Sequence, residues 1–284
     1  MENLYLKERA RLEYVKVNNF KYSNMSILDY LAYSETVNNI NVLPPRVYAL
    51  DSYIESLDRG VIYVQRCVKY VHVISLGINK YQFYFTDILY INNDKLKKQE
   101  DLLRRISYRY NGIIISITKD NEILSIHNMA DIRFQWERIK SILELDYSGG
   151  EISWFLEQMT NHMNSPECIM RELCLYDWLG LIYKGLWCIA NKCSDGVYRY
   201  PLRTLNGTFK VEENIRNKHI FEKKIIQEIS GKLSKEINDD IRPISYYVKI
   251  ENNIDNSCVN EAYADIQLNV AHIEKNERYV LSLM

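Results

Sequence analysis

Hydrophobic and polar positions alternate along both ends of this chain and recur every three or four residues in its middle, so strands are expected to flank a helical segment. Val61 to Leu76 is dominated by Val, Ile and Tyr. Tyr81 to Ile91 sets Tyr81, Phe83, Phe85, Leu89 and Ile91 on one face, with Asp87 the exception. Gly77-Ile78-Asn79-Lys80 between them has hairpin chemistry. A second hairpin is predicted from Ile113–Ile117 and Glu122–Ile126 around Lys119-Asp120-Asn121. Towards the other end, Tyr198–Arg203 and Thr208–Glu212 flank Leu205-Asn206-Gly207, a turn signal because Asn-Gly tolerates positive φ. Ile244, Tyr246, Val248 and Ile250 alternate with Ser245, Tyr247, Lys249 and Glu251. Ala262, Ala264, Ile266, Leu268 and Val270 do the same against Tyr263, Asp265, Gln267 and Asn269. A turn at Glu274–Glu277 leads into a final strand, Tyr279–Leu283, and Ala10–Val17 reads as a short early strand.

Helical spacing is clearest between 128 and 194. Asn128 caps a helix in which Ile132, Trp136, Ile139 and Leu143 share a stripe, and Gly149-Gly150 breaks it. The next helix aligns Ile152, Phe155, Leu156, Met159 and Met163. Ser165-Pro166-Glu167 then starts a third with a cap, a proline at the first helical position and an acid favourable to the dipole. This third helix carries Ile169, Leu173, Tyr176 and Gly180 on one face. Four further helices are expected: one from Ser26 through Leu31, one over Arg46–Leu57, one from Asp94 to Tyr110, and one over 221–241. The last rests on Phe221, Ile225, Ile229, Leu233, Ile237 and Ile241 recurring every fourth position despite Gly231. Pro44-Pro45 separates the first two.

Strands that follow one another through hairpin turns, rather than alternating with helices, predict an α+β fold with a mostly antiparallel sheet and a central helical segment. The expected parts are a sheet-rich 1–127, a helical 128–194 and a sheet-rich 195–284, together one compact unit.

Composition narrows the function classes. The chain has 284 residues, 47% of them hydrophobic, enough for a full core. Lys and Arg number 36 against 37 Asp and Glu, so the phosphate-binding excess of a nucleic-acid protein is lacking. Charges at Glu2, Lys7, Glu8 and Arg9 stand where a signal peptide needs its apolar core, and no uninterrupted apolar run reaches the length of a membrane span. A cytoplasmic protein without membrane insertion is expected, with Cys67, Cys168, Cys174, Cys188, Cys193 and Cys258 as reduced thiols.

Chemistry is harder to find. The thiols clustered between 168 and 193 lack the Cys-x-x-Cys spacing of zinc knuckles, and no Ser or Cys elbow accompanies His72, His127, His162, His219 or His272. Asp239-Asp240 and Glu212-Glu213 are adjacent acids pointing apart, and the basic run Lys95, Lys97, Lys98, Arg104 and Arg105 is a solvated helix face. No catalytic residue, metal ligand or cofactor is therefore expected. The positive signal is tyrosine, at 23 against 7 phenylalanines. A ring with a hydroxyl prefers the edge of a core or an interface. Tyr84 and Tyr90 alternate away from Phe83, Phe85 and Leu89, and are the expected binding residues for a protein partner. The reading is a non-catalytic binding or assembly protein acting through a tyrosine-bearing sheet face and the central helices. An enzyme with dispersed catalytic residues and a carrier of an apolar small molecule are the alternatives. The sequence supplies neither the partner nor the oligomeric state.

Overall fold

The computed structural model describes residues 45–77, 79–91, 97–117, 123–191, 196–204, 207–220, 224–233, 241–253, 258–270 and 273–284. The expected strand 10–17 and the helix begun at Ser26 lie outside them. The described strands are β1 (Arg46–Asp58), β2 (Val61–Gly77), β3 (Lys80–Ile91), β4 (Ile113–Ile117), β5 (Ile123–Ile126), β6 (Gly196–Thr204), β7 (Gly207–Ile220), β8 (Lys224–Leu233), β9 (Ile241–Asn253), β10 (Cys258–Val270) and β11 (Ile273–Leu283). All pair antiparallel in one sheet of order β5-β4-β3-β2-β1-β11-β10-β9-β8-β7-β6. Two meanders therefore meet at the centre, where β1 pairs with β11. The protein is α+β with a large antiparallel sheet.

The helices are α1 (Lys97–Ser107), α2 (Met129–Asp146), α3 (Gly150–Asn164), α4 (Pro166–Leu173) and α5 (Gly180–Asn191). The last four lie in sequence between the two edge strands, so the chain leaves one edge at β5 and re-enters at the other, β6. The expected start of α4 is borne out, with Ser165 Oγ accepting a hydrogen bond from the Cys168 amide at 3.2 Å. Trp136 is buried in α2 and donates its Nε1–H to Thr160 Oγ1 of α3 at 3.0 Å. α5 rests on β9 and β10. Gly185 permits that approach, because a Cβ there would lie 2.2 Å from Val259 Cγ2. Among the described residues no helix is long and apolar enough to cross a membrane.

Two expected helices are strands. Residues 46–57 belong to β1, which buries Tyr48, Leu50 and Ser52 while Ala49, Asp51 and Tyr53 point the other way. Its Ala, Leu and Glu favour a helix in isolation, but β2 on one side and β11 on the other satisfy its backbone throughout. The supposed helix over 221–241 contains β8. A spacing of four is twice the strand period, so Ile225 and Ile229 share a sheet face as readily as a helical stripe. The expected turn at Glu274–Glu277 also lies within a strand, β11.

Candidate functional site

The sheet's two faces differ in chemistry. On the covered face, register aligns Gln227, Ile250, Ala262, Leu281, Leu50, Lys69 and Ile88 in one row across β8, β9, β10, β11, β1, β2 and β3, all buried. The next row on that face is Ile229, Val248, Ala264, Tyr279, Ser52, Cys67 and Tyr90. Lys69 and Gln227 show that this core carries polar groups as well as apolar ones.

Several buried polar groups, Lys69 among them, converge on the turn between α4 and α5, residues 174–179, which is buried although irregular. A buried turn needs partners for its backbone. The Lys69 ammonium donates to the Asp177 carbonyl and sits 4.0 Å above the Trp178 ring, whose edge also meets Phe85. Tyr176 donates to Glu213 on β7, and the Glu213 carboxylate is also held by the Lys184 ammonium from α5 and the Tyr246 hydroxyl from β9. Lys184 is 4% exposed and Glu213 0%. Burial lowers the Lys184 pKa, a shift that the Glu213 charge partly offsets, and burial with Glu213 pushes the Tyr176 phenol well up. Nearby, Arg109 pairs with Glu172 at 2.7 Å, and Tyr110 joins Glu172 to His162. Perturbed ionisable groups are one mark of an active site. Here Lys69 and the Lys184–Glu213 pair bind the Asp177 carbonyl and the Tyr176 hydroxyl, which anchors the 174–179 turn to the sheet.

The opposite face has rows of a different kind. Tyr247, Asp265, Arg278, Tyr53 and Arg66 form one, and Lys249, Tyr263, Val280, Asp51 and Val68 the next. Arg66 grips Asp51 through two nitrogens, its Nη2 at 2.6 Å, and Arg278 lies 3.5 Å from Asp265. Tyr53 donates to Glu55 at 2.8 Å and Tyr263 to Asp265 at 2.7 Å. These carboxylates raise both phenol pKa values. Tyr247 and Val280 are exposed. All the helix contacts described above fall on the covered face.

Tyr84 and Tyr90, the expected binding pair, lie on different faces. Tyr84 is opposite His72 on the open side, half-buried, with its ring beside Gly112. Tyr90 pairs with Cys67 on the covered side and shares a hydrogen bond with Ser107 of α1 at 2.9 Å. The cause is a β-bulge between Tyr70/Asp87 and Val71/Phe85, which adds a residue to β3 and exchanges its faces beyond that point. Asp87, the polar exception in an apolar alternation, was the sequence signal of that shift. The rows through Tyr53, Tyr247 and Tyr263 were missed because register alone brings them together.

Cys67, Cys168, Cys174 and Cys258 are free thiols, Cys67 and Cys258 buried. Cys188, Cys193, His219 and His272 have side chains outside the described residues. His72 is half-buried, which lowers its pKa, and His127 lies 2.6 Å from Ser116 Oγ. Among the described residues no three His, Cys, Asp or Glu side chains gather as a metal site.

No protein-family model and no curated protein matches the chain. Among solved structures it is similar to one described as lipid–protein interactions in lipovitellin. The identity is 7% and the TM-score 0.44, over 84% of this chain and 25% of that one.

Proposed function

We propose that this is a non-catalytic protein-binding or assembly protein whose contact surface is the open face of the sheet. The observation that carries the reading is the cross-strand rows of Tyr53, Tyr247 and Tyr263 interleaved with the Arg66–Asp51 and Arg278–Asp265 pairs. Tyrosine supplies contact area with little entropy to lose, and Arg is the other residue enriched at interfaces. Tyr84 lies at the margin of this surface, and Tyr90 is assigned to the core. The helical layer adds exposed Phe134, Leu145 and Trp154 as a second contact region.

The test separates the two surfaces. A partner recovered with the native protein is expected to be lost by Tyr247→Ala and Tyr263→Ala, each weakening binding about tenfold or more, with the unfolding midpoint unchanged. Trp154→Ala reports the helical side in the same assay. Retention of the partner by both stable tyrosine variants would remove the sheet face from the function.

A further inference from the structure

The helical layer is built to two different depths. Most of the chain from Ile169 to Leu186, through α4, the 174–179 turn and the start of α5, is buried. α2 buries only Ile132, Trp136 and Leu143 of its 18 residues, and α3 only Leu156 and Met163 of its 15. These two helices hold each other. Trp136 donates to Thr160, and Arg133 donates to the Asn164 carbonyl at 3.0 Å, which fastens the start of α2 to the end of α3. The residues flanking the pair are non-helical, and each is tied to what lies outside it. The Asn128 side chain accepts from the Ile114 amide at 2.9 Å and donates to the Gly112 carbonyl at 3.0 Å, so it stays with β4. Ser165 is extended, and its hydroxyl caps α4.

We infer that α2 and α3 form a flap that opens as one unit about Asn128 and Ser165. Hinges are element-terminal residues that take up the backbone change while the packed parts on either side stay rigid. The least buried unit of a fold is also the one that opens at the lowest free energy. Two ties from the flap to α1, Asp146 to Arg105 and Tyr147 to the Lys98 carbonyl at 3.2 Å, lie on the exposed surface, where such bonds contribute little. Gln135 donates to the Tyr108 carbonyl in the 3-10 turn Tyr108–Tyr110. The inner clasp is His162. Its Nε2 lies 2.9 Å from the Tyr110 hydroxyl and 2.9 Å from Glu172 Oε2. Tyr110 donates its only proton to Glu172, so the His162 nitrogen is the donor in this triangle. Tyr110 and Glu172 are buried, whereas the His162 side chain is 25% exposed, which sets the clasp at the margin of the covered region. Opening breaks it and admits water to Tyr110 and the Arg109–Glu172 pair, while Lys69, Lys184 and Glu213 stay covered by α4, the turn and α5.

The experiment is amide hydrogen exchange on the full chain, read peptide by peptide by mass spectrometry. Amides in the middles of α2 and α3 are expected to share one opening free energy. They are expected to open at least about a hundredfold more often than those of Ile169–Leu186 and β9–β11. His162→Phe keeps a ring and removes both clasp bonds, and is expected to raise the opening of both helices about tenfold. His162→Gln, whose amide can donate to Glu172 in place of the ring nitrogen, is expected to restore most of that protection. The deciding variant lies outside the flap. Val248→Ala leaves a cavity in the sheet core, so sheet amides are expected to lose protection while the flap keeps its native rate, because the open flap retains the sheet. Different opening rates for α2 and α3, equal loss of protection by flap and sheet in Val248→Ala, or an unchanged flap in His162→Phe overturns the inference. None of these variants alters Tyr53, Tyr247 or Tyr263, so the binding face is tested separately.

Discussion

The covered and open faces of one sheet carry similar residue types and use them for different ends. Both hold tyrosines beside carboxylates and cations beside acids. Beneath the helices, Lys184, Glu213, Tyr176 and Tyr246 satisfy one another away from water. On the other side Arg66–Asp51 is exposed to solvent and Tyr263–Asp265 is half-buried. The same bond is thus a condition of folding on one face and an adjustable surface feature on the other.

The sharpest way to break this comparison is Lys184→Ala. It leaves the Glu213 carboxylate buried without its cation, and a loss of about 3–5 kcal/mol is expected. Replacing both partners, as Lys184→Met with Glu213→Leu, is expected to recover most of that loss. Urea unfolding midpoints check both variants, and a single variant within 1 kcal/mol of native would show that the cluster is not a closed unit.

An intermediate effect per group comes from alkali. Burial raises the phenols of Tyr48, Tyr90, Tyr110 and Tyr176, Tyr176 most plainly together with Glu213. The unfolded chain loses those protons near pH 10 and the folded chain only above it. Their contribution is therefore complete below pH 10 and falls as pH rises towards the folded values, by about 1.4 kcal/mol per fully protected phenol per unit. Tyrosinate absorbance followed beside circular dichroism should show these rings ionising only as the fold is lost. Ionisation of every tyrosine ahead of unfolding would contradict the burial.

Arg66→Ala is expected to have the smallest effect, under about 1 kcal/mol and weaker still in high salt. A larger, salt-independent loss would mean that the open face contributes to stability as the covered one does.

The antiparallel α+β class was legible in the sequence because hairpins such as Gly77–Lys80 and Asn206-Gly207 join runs of alternating residues. The stripe through Trp136 and the cap at Ser165 were legible for the same reason, being local. What the sequence concealed was set by distant partners. β1 is a strand because β2 and β11 flank it, and β8 shows a spacing of four that both periods accept. Tyr90 changed face through a one-residue bulge whose only trace was Asp87 in an apolar row. The candidate surface needed β9, β10, β11 and β1 in register before Tyr53, Tyr247 and Tyr263 became neighbours.

The pairing of β1 with β11 also sets the timing of synthesis. β1 is among the first described segments to leave the ribosome, and one of its two neighbours is the last. At roughly 5–20 residues per second, the chain between Asp58 and Ile273 takes about ten to forty seconds to appear. Throughout that interval β1 lacks β11, its partner on that side among the described strands, and its edge is a template for a passing strand. Closing the sheet is therefore a late, long-range event with a large loop-closure cost, and the newborn chain depends on keeping that edge vacant for β11.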